Sequence, residues 1–115
     1  MTTTGTIPDA TAFALADLIT PTDHGVASRV LARSAGGTVT LFAFDKGESL
    51  TEHTTPFDAL ALTLDGALSL TIGGNRVDTT AGTIVRLPAN VPHAVEAPVA
   101  ARMLLVILKD PKAAS

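Results

Sequence analysis

Residues 58–87 read DALALTLDGALSLTIGGNRVDTTAGTIVRL, and this stretch decides the fold. Four short runs, Asp58–Leu64, Ala67–Ile72, Arg76–Thr79 and Thr83–Leu87, are separated by Asp65-Gly66, Gly73-Gly74-Asn75 and Ala81-Gly82. Segments this short, at roughly ten-residue spacing with turn chemistry between each pair, predict an antiparallel β-sandwich or barrel. Asp65-Gly66 predicts a hairpin, and Gly73-Gly74 predicts a second tight turn. Strand alternation groups Ala59, Ala61 and Thr63 on one face and Leu60, Leu62 and Leu64 on the other. The small set leaves room for a pocket.

Working outward, the same grammar continues. Val26–Arg33 and Thr38–Phe44 flank Gly36-Gly37, and Val39, Leu41 and Ala43 alternate with Thr40, Phe42 and Phe44. Asp45-Lys46-Gly47 turns the chain, Leu50–Thr55 follows, and Pro56 marks a bend because it cannot donate to a ladder. Downstream, Pro88-Ala89-Asn90 and Pro92 predict a stiff loop that leads to His93 and runs on past Glu96. Ala101–Leu108 is apolar on both faces and reads as a strand between two layers. Residues 12–19 suit either a helical turn or a short edge segment, ended by Pro21, and residues 1–6 (MTTTGT) suit a frayed end. The expected organisation is an N-terminal tail and edge segment over 1–25, one all-β barrel over 26–110 and a tail over 111–115.

Composition narrows the function classes. The 115 residues suit one domain, and 46% hydrophobic residues exclude disorder. Only 17% are charged, which on so small a body implies that a second copy covers apolar surface, most simply in a homodimer. A net charge of −3 with no basic stripe argues against nucleic acid and acidic membrane surfaces. The absence of Cys excludes thiol catalysis and thiolate metal sites. No apolar run is long enough for a helical membrane span and no secretory signal is visible, so a cytoplasmic setting is the default.

The three histidines are His24, His53 and His93. His53 and His93 each sit at a strand end beside a Pro-containing loop. If they converge at a barrel mouth, they offer neutral nitrogen ligands to a divalent ion or a general acid–base pair. The plainer alternative is two rim residues bonded to backbone. Asp58 either turns inward as a third ligand, completing a two-His-one-carboxylate set, or caps backbone amides near Pro56, which is the favoured reading. His24, Glu52 and Glu96 are expected at the surface, and Arg86 either faces solvent or pairs with an acid.

Two segments carry a family resemblance. GESLTEHTTPFDALALTLDG places Gly47, His53 and Gly66, and GTIVRLPANVPHAVEA places Gly82, Pro88 and His93, at the spacings of the two signature motifs of small single-domain cupins. On these segments the chain resembles the cupin-2 conserved barrel type. The resemblance implies a double-stranded β-helix, or jelly-roll barrel, often dimeric, with the site inside. The family's metal shell commonly uses three His and one Glu. Here Thr55 stands at one His position and Ala59 or Leu60 at the Glu position, leaving His53 and His93. Asn90 and Ala97 replace a motif Gly and Asn, which bears on turn geometry.

Three functions follow from this reading. The first is a barrel binding a small organic molecule in an apolar pocket formed with His53, Thr55, Ala59, Ala61 and His93. The second is a metal-dependent oxygenase, isomerase or lyase on a small organic substrate, with a divalent ion on His53, His93 and, less favoured, Asp58; a metal-free variant would use one His as general base. The third is a purely structural dimerisation domain.

Overall fold

Period-two alternation punctuated by glycine turns gives nine strands in the computed structural model, which describes residues 5–110. In chain order they are β1 (Val26–Ser34), β2 (Gly37–Phe44), β3 (Ser49–His53), β4 (Asp58–Asp65), β5 (Ala67–Ile72), β6 (Asn75–Thr80), β7 (Thr83–Leu87), β8 (His93–Glu96) and β9 (Ala101–Leu108). Two antiparallel sheets result, ordered β1-β2-β9-β4-β7 and β3-β8-β5-β6. Their inner faces enclose Phe44, Leu68, Leu70, Leu87, Val95 and Met103 in one core. The architecture is an all-β jelly-roll barrel.

β9 is the middle strand of the larger sheet, paired with β2 on one side and β4 on the other. Its odd-numbered residues pack into the barrel with Met103 1% exposed, while Leu104 joins a second cluster on the outside. That second cluster forms where Ile7, Phe13, Leu18 and Ile19 pack on Leu31, Leu41 and Ala43. Buried Arg29 on β1 ties the N-terminal segment down, donating from Nε to the Gly5 carbonyl (2.8 Å) and from one terminal nitrogen to the Leu18 carbonyl (3.0 Å).

Several expectations change. Residues 12–19 form a single 3-10 turn at Leu15–Asp17 rather than an edge strand. Of the frayed end expected over 1–6, residues 1–4 lie outside the described residues, as does the 111–115 tail, whereas Gly5 is held by Arg29. Asp65-Gly66 does not close a hairpin, because β4 and β5 belong to different sheets. The turn carries the chain across the barrel instead. Gly66 has φ +72°, and a Cβ there would collide with the Ala100 carbonyl. Residues 93–96, read from sequence as the end of a loop, form β8 in the interior of the smaller sheet. Among the described residues, no helix is long and apolar enough to cross a membrane.

Candidate functional site

β3 and β8 pair antiparallel, and their register sets His53 opposite His93. A register shift between Leu50 and His53 bends β3 just before the pair. The two rings sit 4.4 Å apart between centroids, inclined at 67° in an edge-to-face arrangement. Their surroundings differ because β3 is an edge strand and β8 is flanked on both sides. His53 is therefore exposed, while His93 is buried at 6% exposure.

Backbone carbonyls orient both rings. The Nδ1 of His53 lies 3.1 Å from the Thr51 carbonyl, and the Nδ1 of His93 lies 3.4 Å from the Val91 carbonyl. A carbonyl only accepts, so each contact takes Nδ1–H, and in the neutral ring this leaves the Nε2 lone pair as the acceptor at the far edge. Burial pushes the His93 pKa below the ordinary imidazole value. The neighbouring His53 lowers it further, and the Val91 contact opposes both.

The loop before β8 is built for this placement. Asn90, standing where the motif has Gly, adopts φ +64°, a conformation that Asn tolerates better than most residues. Its N–H donates to the Thr55 carbonyl at 2.7 Å, tying this loop to the bend after β3. Ala97, at the motif Asn position, is fully buried and exchanges backbone hydrogen bonds with Gly47 and Glu48.

The paired rings border a cavity of about 310 Å³. Its walls are Phe42, Leu50, Leu87, Val95, Met103 and Leu105, and its polar members are Thr51, His53 and His93. Among the described residues, no Asp, Glu, Lys or Arg lines it. Thr51 has no signal in the sequence that marks it for the site, because only the β3–β8 pairing brings it here.

The remaining site candidates lie elsewhere. Ala59 and Ala61 face inward as the alternation predicts, but they belong to the packed core and not to the cavity lining. Ala59 sits between Leu87 and Ile107, and Ala61 between Val85 and Leu105, so larger neighbours take the space that small side chains leave. The Thr55 hydroxyl donates to the Phe57 carbonyl at 3.2 Å in a local turn and is not part of the lining. Asp58 accepts from the Arg86 guanidinium at 2.7 Å and from the Ala89 N–H at 2.8 Å. These two donors hold its carboxyl below the usual range. It caps a backbone amide just past the end of the neighbouring strand β7 and not beside Pro56, and Arg86 is both exposed and paired. His24, Glu52 and Glu96 are exposed.

Asp58 instead borders a separate depression of about 560 Å³ with Phe57, Ala89, Leu108 and Lys109. There the Lys109 ammonium lies over the Phe57 ring at 5.3 Å. No imidazole reaches this larger depression, so it lacks the donors that distinguish the smaller cavity.

The donor set does not fit a resident metal. A catalytic divalent ion normally takes three protein ligands, and among the described residues no group of three or more His, Cys, Asp or Glu is placed to share one. The two imidazoles stand alone.

Comparison with known proteins agrees with the fold. Residues 40–107 match the family model described as Cupin domain. A crystal structure of a conserved protein of unknown function from Streptococcus pyogenes is 30% identical with a TM-score of 0.85, covering 96% of each chain. A cupin superfamily protein from Desulfitobacterium hafniense is 31% identical with a TM-score of 0.83, over 90% of this chain and 95% of that one. A cupin 2 conserved barrel domain protein from Leptotrichia buccalis is 36% identical with a TM-score of 0.81, over 84% of this chain and 47% of its own length. A search of curated proteins returned no match.

Proposed function

The chain belongs to the cupin family, and from that premise we propose that its barrel binds a small, neutral organic molecule that donates a hydrogen bond to His53 and His93. One observation carries this reading. Two imidazoles, each with Nδ1 turned to a carbonyl, meet at an apolar cavity that, among the described residues, contains no charged side chain. The Nε2 lone pairs accept, so a hydroxyl or N–H of the ligand is the complementary group. A carboxylate would lose its hydration without finding a fixed cation. The volume, near the lower end for ligand pockets, suits a single ring or a short branched chain.

The walls take up the ligand body by apolar contact, while the rings fix its orientation. Edge-strand His53 stands at the solvent side and buried His93 at the inner side, so the polar end of the ligand sits between the two. Among the described residues no third protein ligand joins the two rings, which favours this binding role over metal-assisted chemistry. A cytoplasmic setting belongs to the same proposal.

The test is a titration of chelator-treated protein with phenol, benzyl alcohol and benzoate, followed by NMR of the histidine ring signals. Phenol or benzyl alcohol should shift both rings, bind roughly tenfold or more tightly than benzoate, and lose the effect in His93→Ala. Tighter binding of benzoate, or ring signals that ignore the alcohols, overturns the reading.

A further inference from the structure

The histidine pair is held from outside the cavity by a short brace. The loop that delivers His93, residues 88–92, joins β7 to β8 and begins and ends in proline. Neither proline has an N–H, so the amides that can fix the loop are those of Ala89, Asn90 and Val91. One stretch of chain takes two of them. Ala89 donates to the Asp58 carboxylate at 2.8 Å, and Asn90 donates to the Thr55 carbonyl at 2.7 Å. That stretch, Thr55-Pro56-Phe57-Asp58, begins two residues after His53. The Thr55 hydroxyl closes it, donating to the Phe57 carbonyl at 3.2 Å and accepting from the Phe57 N–H at 3.4 Å. At the far end of the loop the Pro92 carbonyl accepts from Gly73 at 2.8 Å. The segment that leaves one histidine thus grips the loop that leads to the other.

We propose that Asp58 is a positioning residue for His93. By holding Ala89 it sets where the Val91 carbonyl stands, and with it the direction of the buried ring. Of the three bonds that anchor the loop, only that of Ala89 goes to a side chain. Asp58 opens β4, and its second oxygen accepts from Arg86 on β7 at 2.7 Å. The Arg86 side chain is 71% exposed, so the ion pair itself adds little stability. Its effect is geometric: a carboxylate fixed through one oxygen by a guanidinium presents the other to the loop amide. The His93 ring is the sensitive one. Its Nδ1 lies 3.4 Å from the Val91 carbonyl, against 3.1 Å for His53 and Thr51. A bond already this long is lost on a small shift of the loop.

NMR of the ligand-free, chelator-treated protein is the first measurement, and it does not need the ligand reading. In Asp58→Ala the His93 ring signals should move further than those of His53, and the Ala89 amide should exchange with solvent faster than the amides of β5. Asp58→Asn keeps an oxygen for Ala89 and should restore the parent ring signals. Asp78→Ala, which opens the exposed Arg76–Asp78 pair of 2.9 Å, should leave His93 unmoved. A second measurement rests on the ligand reading. Asp58→Ala should weaken phenol binding roughly threefold to tenfold, the loss that follows when the loop holds its competent position about a third to a tenth of the time. If the parent protein ignores phenol, the ligand reading fails and the ring signals still decide the role of Asp58. If Asp58→Ala does not fold, Asp58→Ser, too short to bridge both donors, takes its place. Unmoved His93 signals in the folded Ala or Ser variant, or an Asp58→Asn protein as perturbed as Asp58→Ala, would overturn the proposal.

Discussion

β3 and β8 each contribute one histidine to the same pair, yet they hold it on different terms. β8 lies between two neighbours, with His93 and Val95 buried, whereas β3 has one neighbour and His53 is exposed. Both rings meet a carbonyl two residues upstream, so local bonding does not make the difference. Position within the sheet does. Identical side chains facing each other thus divide into an inner ring held by packing and an outer ring open to solvent.

The largest effect should separate the two strands by stability. Val95→Ala removes a 3%-exposed side chain and should cost about 2 kcal/mol. Leu50→Ala, at its register partner on β3, should cost less although it deletes more atoms. Urea denaturation compares them, and equal losses would break the inner–outer distinction. Next comes the loop that delivers His93. Asn90→Ala should cost on the order of 1 kcal/mol through its φ of +64°, while Asn90→Gly should be nearly neutral. Similar losses for both would move the cost from backbone conformation to the Asn side chain.

The smallest effect is a pH dependence. The folded-state pKa of His93 is depressed, so the unfolded chain binds its proton first as pH falls. The His93 contribution is therefore full above the ordinary imidazole value of 6.5 and is lost as pH drops through the lower folded value. His93→Gln should remove this slope in chelator-treated protein. His53→Gln should only reduce it, because burial, the larger cause, remains. Thermal melts across that range decide between them, and an unchanged slope in His93→Gln would place the titrating group elsewhere.

Much of the fold is legible in residue chemistry. Ala67–Ile72, Thr83–Leu87 and Ala101–Leu108 form strands with the bounds that their turns predict. β8 escapes because a four-residue strand, set in the five residues between Pro92 and Pro98, is too short to show a period. Asp65-Gly66 misleads because a hairpin turn and a crossing turn draw on the same residues, and only the close approach of the Ala100 backbone distinguishes them. Ala59 and Ala61 face the correct side, but whether small residues leave a hole depends on what stands beside them, here Leu87, Leu105 and Ile107.

Residue chemistry alone determined that this chain is an antiparallel sandwich or barrel of short strands with turns at its glycines, which follows from local backbone preference and spacing and needs no knowledge of neighbours. The choice of a jelly-roll barrel, and the motif positions of His53 and His93, came from the resemblance to small cupins. The tertiary structure decided that the two histidines are register partners, that one is buried and one exposed, and that Asp58 is spent on Arg86 and Ala89. Pairing between strands distant in sequence, and the choice of edge or interior, are set by the packing of the whole barrel, so no single segment encodes them.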